Sequence, residues 1–216
     1  MNESVANNNL ISIFAQANKI AIIPSEIAGT DAFCAAVGLY YVLKDQEKNA
    51  SLIYTGKIPE GCNTLIKEGD LTSNISEREL MISIDYSDTP AAKVHYSTEN
   101  DILYLKIKPV NKDFDLNRVK TTIKGSDFDL IIVIGAQNLK DLGQVYTELI
   151  DNLNTAKILN IDASDLNSKF GLENVVDSTV ESLSLLVLQQ VAFLSFPIGK
   201  RSGKAFLTGI THKSTD

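Results

Sequence analysis

The sequence has no tryptophan, two histidines and two cysteines among its 216 residues. Cys34 and Cys62 are far apart in the chain and form no C-x-x-C pair, so the pattern indicates neither a zinc site nor a redox motif. The scarcity of histidine leaves His95 and His212 as the only imidazole ligands that a metal site could use. Because Cys34 lies among apolar residues at helical spacing, we expect it to pack in the core.

Long apolar runs and an excess of basic residues are also missing. No apolar run approaches the roughly 20 residues that span a bilayer, and residues 1–4 carry no secretion signal, so we expect a cytoplasmic protein without a membrane segment. The 20 basic residues are outnumbered by 27 acidic ones, which gives a net charge of −7. This balance argues against a broad face that binds duplex DNA, although a small nucleotide in a local pocket remains compatible with it.

The apolar patterns that are present alternate between strand and helix. Short buried runs predict strands at 19–24, 50–54, 79–84, 129–134 and in the run that begins at 157, and helical spacing predicts helices at 8–19, 31–44, 138–153 and 204–210. This order predicts an α/β fold, doubly wound, with a mainly parallel sheet flanked by helices. We expect residues 1–216 to form a single domain, with an antiparallel hairpin inserted at about residues 86–110 and no second substrate-binding domain.

The most informative stretch covers residues 157–188. An apolar run ends in polar and acidic side chains, and a helix is predicted to begin where Ser178 and Thr179 could cap it, with Glu181 completing a capping box. In open α/β sheets, ligands bind in the crevice beyond the carboxyl ends of the strands. The polar residues that follow this run are therefore candidates for a ligand site.

This stretch resembles the signature region of the DHH family of phosphoesterases. The matching residues, in order, are Asn160-Ile161-Asp162, Asn167, Phe170-Gly171, Asn174-x-Val176-Asp177 and Ser178-Thr179-x-Glu181. Weaker likeness is seen in the helix that begins at Asp31 and in Leu207-Thr208-Gly209-Ile210. The resemblance implies a DHH-like domain and hydrolysis of a phosphoester assisted by two divalent ions, usually manganese.

The resemblance also implies where the metal ligands should lie, and most of those positions hold other residues. Asp31 and Asp162 retain the family's carboxylates. The positions without a ligand are Ser25, where the resemblance implies a histidine, Gly29 and Gly135, where it implies aspartates, and Ala163 and Ser164, where it implies two histidines. Two carboxylates cannot hold a pair of ions, although they could hold one magnesium with several waters. Asp31 also fits an ordinary role as a carboxylate in the first turn of a helix.

Other charged residues are secondary candidates. Displaced carboxylates that could rebuild a metal site are Glu26, Asp85 and Asp165. A basic cluster of Lys200, Arg201 and Lys204 could contact a phosphate at a helix start, and a solvated helix entrance explains the same residues equally well. His212 is expected at the surface.

We therefore predict a catalytically degenerate DHH-like protein that acts as a binding or assembly module, with no cofactor and with a protein partner or self-association. The first alternative is an active phosphoesterase that uses manganese or magnesium to hydrolyse short oligonucleotides, cyclic dinucleotides or nucleotide phosphates. The second is a subunit that self-assembles through the open edge of its hairpin.

Overall fold

The computed structural model of the protein describes residues 3–67, 69–72, 79–85, 87, 91–109, 115–124 and 127–213. The chain divides into two compact units, the first made of Met1–Glu77 with Ser126–Asp216 and the second of Arg78–Gly125. We describe each unit by itself. The expectation of one domain over residues 1–216 stays a prediction.

The described residues form ten strands, six α-helices and three short 3-10 helices. The strands are β1 Lys19–Pro24, β2 Asn49–Ile53, β3 Leu71–Thr72, β4 Glu79–Ile84, β5 Ala91–Glu99, β6 Ile102–Pro109, β7 Val119–Lys124, β8 Leu130–Ile134, β9 Lys157–Asp162 and β10 Glu173–Val176. The α-helices are α1 Glu3–Gln16, α2 Gly29–Asp45, α3 Gln144–Glu148, α4 Ile150–Thr155, α5 Leu183–Phe193 and α6 Lys200–Lys213. The 3-10 helices are Cys62–Thr64, Leu116–Arg118 and Leu139–Leu142.

The first unit contains a six-stranded parallel sheet in the order β10-β9-β8-β1-β2-β3. Its central strands β1 and β8 consist almost entirely of buried Ile, Leu, Val and Ala because both faces of the sheet are covered. Ile20 and Ile22 of β1 face a core shared with α1, α2, α5 and α6, whereas Ala21 and Ile23 face the 139–155 segment. The predicted α/β class with a mainly parallel sheet is confirmed.

The prediction of one continuous helix over residues 138–153 is wrong. The segment is a 3-10 helix at Leu139–Leu142 followed by α3 and α4. Gly143 lies between the first two pieces with a positive φ of 57°, and a residue in that conformation ends a helix. The apolar face of the segment is nevertheless buried as the pattern indicated, with Leu142, Val145, Leu149 and Leu153 in the core.

Three strands were missed because their sequences carry little apolar pattern. β3 has two residues and lies in the stretch 55–76, where no strand was predicted. β10 has four half-buried residues at the other edge of the sheet. β7 contains two lysines and two threonines, and it pairs antiparallel with β4, so the predicted strand at 79–84 belongs to the second unit and not to the parallel sheet. Short and half-exposed strands are specified mainly by their neighbours.

The described residues of the second unit form two antiparallel ribbons, β4 with β7 and β5 with β6. The antiparallel hairpin predicted at about residues 86–110 is confirmed, with β5 and β6 as its two strands. Within the described residues, no helix is long and apolar enough to cross a membrane. The cytoplasmic location inferred from the sequence stays a prediction.

The two cysteines, which are separated in sequence, lie together in the fold. Cys34 of α2 is buried as expected, and its Sγ lies 3.7 Å from the Sγ of Cys62, which is also buried. Burial raises the pKa of both thiols, because removing a thiolate from water is unfavourable. Both cysteines are free thiols in the structure. The missing C-x-x-C motif therefore did not reveal that two cysteines distant in sequence are neighbours in the fold.

Candidate functional site

A cleft of about 750 Å³ opens beyond the carboxyl ends of β1, β8 and β9. The chain runs to one side of β1 through β2 and β3, and to the other side through β8, β9 and β10, so the strand order reverses here. Such a reversal leaves a crevice that is the usual ligand site of open α/β sheets. The cleft is lined by Ile27, Ala28, Gly29, Thr30, Asp31, Gly135, Gln137, Asp141, Asp162, Ala163, Ser164, Ser178, Val180, Glu181, Leu183 and His212.

Most positions that the family resemblance singled out meet in this cleft. Its lining contains the two retained aspartates and four of the five positions without a ligand, which are Gly29, Gly135, Ala163 and Ser164. The fifth, Ser25, is buried at the end of β1, and its Oγ has no hydrogen-bond partner among the described residues. The sequence pattern therefore located the cleft, although it did not show how its side chains are used.

The Asp31 carboxylate is occupied by the N-terminus of α5. Its Oδ2 accepts a hydrogen bond from the Leu183 amide at 2.7 Å, and its Oδ1 accepts from the Ser184 amide at 2.9 Å and from Ser182 Oγ at 3.1 Å. Asp31 is also buried, with 7% of its surface exposed. The charge therefore stabilises the first turn of α5, where amides lack partners within the helix.

This arrangement corrects the prediction for the start of α5. Ser178 and Thr179 do not cap the helix, since α5 begins at Leu183 and Ser182 occupies the cap, where its Oγ accepts from the Leu185 amide. Thr179 instead closes a turn by donating to Asp177 from both its amide and its hydroxyl. These hydrogen bonds lower the pKa of the Asp177 carboxyl. The Ser178-Thr179 pattern that predicted a helix cap therefore belongs to a turn, in which Asp, Ser and Thr are also common.

Gly135 has no room for the carboxylate that the family places there. A Cβ built at this position would lie 2.7 Å from the Ala28 Cβ and 2.8 Å from Leu183 Cδ1. Its φ is +76°, a conformation that favours glycine. Apolar side chains therefore fill the space that a bridging metal ligand would need.

Asp162 is held by a buried network of asparagines. Its Oδ2 accepts from Asn167 Nδ2 at 2.8 Å, and its Oδ1 accepts from the Ala163 amide. Asn160 donates to the side-chain oxygens of Asn167 and Asn174, and Asn174 in turn bonds the backbone of Gly171. The asparagines of the signature stretch thus fix the loop that follows β9.

We expect Asn167→Ala to lower the free energy of unfolding by about 2 kcal/mol, because it leaves buried amide and carbonyl groups without partners. The Asn167 side chain bonds Asn160, Asp162, the Ala136 carbonyl and the Lys169 amide. Urea denaturation would measure the change. The control is Asn154→Ala at an exposed position of α4, which should change stability by less than about 0.5 kcal/mol. Equal effects of the two substitutions would contradict a stabilising network.

The displaced carboxylates proposed from the sequence do not line the cleft. Glu26 Oε1 accepts from Thr55, and Asp165 is exposed. Asp85 belongs to the second unit, where hydrogen bonds from Ser87 lower the pKa of its carboxyl. Asp88, a further carboxylate close to Asp85 in sequence, lies outside the described residues. A rebuilt metal site on these side chains stays a prediction without support from their contacts.

Several polar residues of the cleft were not predicted from the sequence, notably Thr30, Gln137 and Asp141. Asp141 is bonded to the amides of Gln137 and Asn138 and forms a capping box with Asn138. The Asn-x-x-Asp spacing was the signal that could have identified this role. His212 is exposed, as expected, and lines the cleft.

The basic cluster at the start of α6 also lies outside the cleft lining. Arg201 is 3.6 Å from Asp45 and stacks over the Tyr41 ring, and Lys204 Nζ donates to Thr64 Oγ1. Lys200 is exposed at the first residue of the helix. These contacts stabilise the packing of α6, and a phosphate contact by the cluster stays a prediction.

The donor set of the cleft does not fit a pair of divalent ions. In the described part of the chain, no three His, Cys, Asp or Glu side chains converge as ligands. Two bridged ions need several carboxylates and imidazoles directed at the same space. Here Asp31 and Asp162 are both engaged in hydrogen bonds inside the protein.

Comparisons with known proteins add a likeness of fold. The sequence matches no family model and no curated protein. In structure the chain is similar to an exopolyphosphatase-related protein from Bacteroides fragilis, with a TM-score of 0.67 and 14% sequence identity. The match covers 100% of this chain and 52% of that protein, so this chain spans about half its length. At this identity the comparison shows that the chain has the α/β fold of a phosphatase-related protein.

Proposed function

We propose that this protein is a catalytically degenerate DHH phosphoesterase-like domain that acts by binding and not by metal-assisted hydrolysis. The signature pattern from Asn160 to Glu181 and the fold shared with an exopolyphosphatase-related protein support the DHH assignment. The proposed loss of catalysis is supported by the contacts of the side chains in the cleft.

The observation that carries this proposal is the hydrogen bonding of the Asp31 carboxylate to the N-terminus of α5. A metal-binding carboxylate directs free lone pairs at the ion, whereas three hydrogen bonds from Ser182, Leu183 and Ser184 occupy most of the roughly four acceptor sites of Asp31. Ala28 and Leu183 occupy the neighbouring space at Gly135. These contacts support a packed junction between β8, α2 and α5 in place of a metal centre.

The remaining cleft supports binding of a small polar ligand such as a nucleotide. It keeps the location of a ligand site and, beside the carboxylates of Asp31, Asp141, Asp162 and Glu181, it carries uncharged hydrogen-bonding side chains, including Thr30, Gln137 and Ser178. A Gln137–Ser164 hydrogen bond of 3.1 Å joins two of its walls. Such groups can select a ligand through hydrogen bonds without a metal ion.

The decisive experiment is a manganese titration by calorimetry followed by hydrolysis of a generic phosphodiester, bis(p-nitrophenyl) phosphate. We expect no saturable binding of two ions and no turnover above the rate of an Asp162→Ala variant. Binding of two ions with turnover that Asp162→Ala abolishes would establish the active phosphoesterase and end this proposal.

The binding part is tested separately with nucleotide phosphates, cyclic dinucleotides and short oligonucleotides in the absence of metal. A ligand at 100 times its Kd should stabilise the fold by about 2.7 kcal/mol, which raises the Tm by about 5–10 °C. Gln137→Ala should reduce the shift and Asn154→Ala should not. If none of the three ligand classes shifts the Tm, nucleotide binding at the cleft is excluded while the loss of catalysis still stands.

A further inference from the structure

The β5–β6 hairpin exposes an unusually apolar face. Residues paired across the hairpin share a face, which places Val94 with Ile107, Tyr96 with Leu105 and Thr98 with Leu103 on one side. The exposed fractions are 61% for Val94, 80% for Tyr96, 59% for Leu103 and 46% for Leu105. A two-stranded ribbon is marginally stable in water by itself, so a ribbon that presents these side chains gains stability from another surface.

The hairpin also leaves the backbone of β5 free on one edge. Asn100 and Asp101 have φ values of 50° and 62°, as two-residue type I′ loops require, and such a turn closes on the Glu99–Ile102 pair. Because antiparallel pairs alternate between hydrogen-bonded and non-hydrogen-bonded, the amides and carbonyls of Val94, Tyr96 and Thr98 point away from β6. In the described part of the chain, β5 pairs with no other strand.

The charges along β5 make this edge complementary to itself. We propose that β5 pairs antiparallel with β5 of a second copy of this chain, about a two-fold axis at Tyr96. This register places Lys93 opposite Glu99 twice and Val94 opposite Thr98 twice, with the two Tyr96 residues opposite each other. It also directs the free backbone groups of one β5 at those of the other. A two-fold interface must match a surface to itself, and this register does so in charge and in hydrogen bonding.

The other edge of the hairpin is much less suitable. β6 carries Lys106 and Lys108 and no acidic residue, so pairing two β6 strands would bring four lysines together without counter-charges. β6 also ends at Pro109, which has no amide hydrogen to donate. Pairing through β5 instead places Tyr96, the most exposed of these apolar residues, in the centre of a four-stranded sheet.

The proposal is tested by the mass of the full chain in solution, measured by light scattering over a range of concentrations. We expect a dimer of twice 23.6 kDa in equilibrium with the monomer. Lys93→Glu and Glu99→Lys should each raise the dimer Kd at least about tenfold, because each turns two attractive pairs into two repulsive ones. The double charge swap should restore the Kd to within about threefold of the original.

Circular dichroism should show that all three variants fold, since both positions are exposed. In 1 M salt the differences between the variants should shrink, because salt screens surface charges. A chain that stays monomeric at every concentration overturns the proposal, even if it binds a different protein. A dimer whose Kd is the same in all variants, or is not rescued by the double swap, overturns it as well, because the copies then associate elsewhere.

Discussion

Asp31→Ala is expected to lower the free energy of unfolding by about 4 kcal/mol, since it removes a charged acceptor that holds two buried amides and a hydroxyl of α5. For a chain of this size, the Tm should fall by about 8–16 °C. Thermal and urea denaturation would both report the change. The physical reason is that the amides of Leu183 and Ser184 have no other partner within the first turn of the helix.

A metal ligand would behave differently. A carboxylate kept for catalysis commonly destabilises the metal-free fold, so its removal leaves stability unchanged or raises it. Asp165→Ala, at an exposed position that follows Ser164 of the cleft lining, is the matched control and should change the stability by less than about 0.5 kcal/mol. A stable Asp31→Ala protein that had lost manganese binding would contradict the structural role of Asp31.

Gly135→Asp restores the residue that the family resemblance implies at this position, and it is expected to destabilise the fold by about 4 kcal/mol. The new Cβ would collide with Ala28 and Leu183, and the positive φ adds strain. We expect no gain of manganese binding in calorimetry, since the surrounding space is filled with apolar groups.

Gly29→Asp separates the two causes of this effect. Gly29 also has a positive φ, +63°, and also occupies a lost aspartate position, but a Cβ there meets no atom within 4 Å. Because aspartate tolerates the left-handed region, the cost should be about 1 kcal/mol. Equal losses of stability for the two variants would show that backbone strain, and not filling of the site, keeps Gly135.

The parts of the fold that could be predicted are those with strong local patterns. β8 is a continuous apolar run, β1 and β9 are largely apolar, and the amphipathic hairpin alternates clearly, so composition and periodicity were sufficient. β3 and β10 are short edge strands, which form because a neighbouring strand offers hydrogen bonds. No local pattern marks such strands.

The candidate site, like the fold, could be predicted only in part from the sequence. The positions of Asp31, Gly135 and Asp162 at strand ends and at a helix start followed from the sequence, and the structure places all three in one cleft. The partner of Asp31 lies about 150 residues further along the chain, at Ser182 and Leu183. That contact could not be deduced from spacing, and neither could the proximity of Cys34 and Cys62.

By itself the sequence determined the parallel core and the identity of the side chains at the carboxyl edge of the sheet, because apolar periodicity and strand ends are local properties of the chain. Only the tertiary structure decided what those side chains do. The packing of α5 against α2 turned the Asp31 carboxylate into a helix cap and left no space at Gly135. The hydrogen-bond partners of a side chain and the free volume around it depend on which distant segments meet in the fold. Local patterns in the sequence do not show which segments those are.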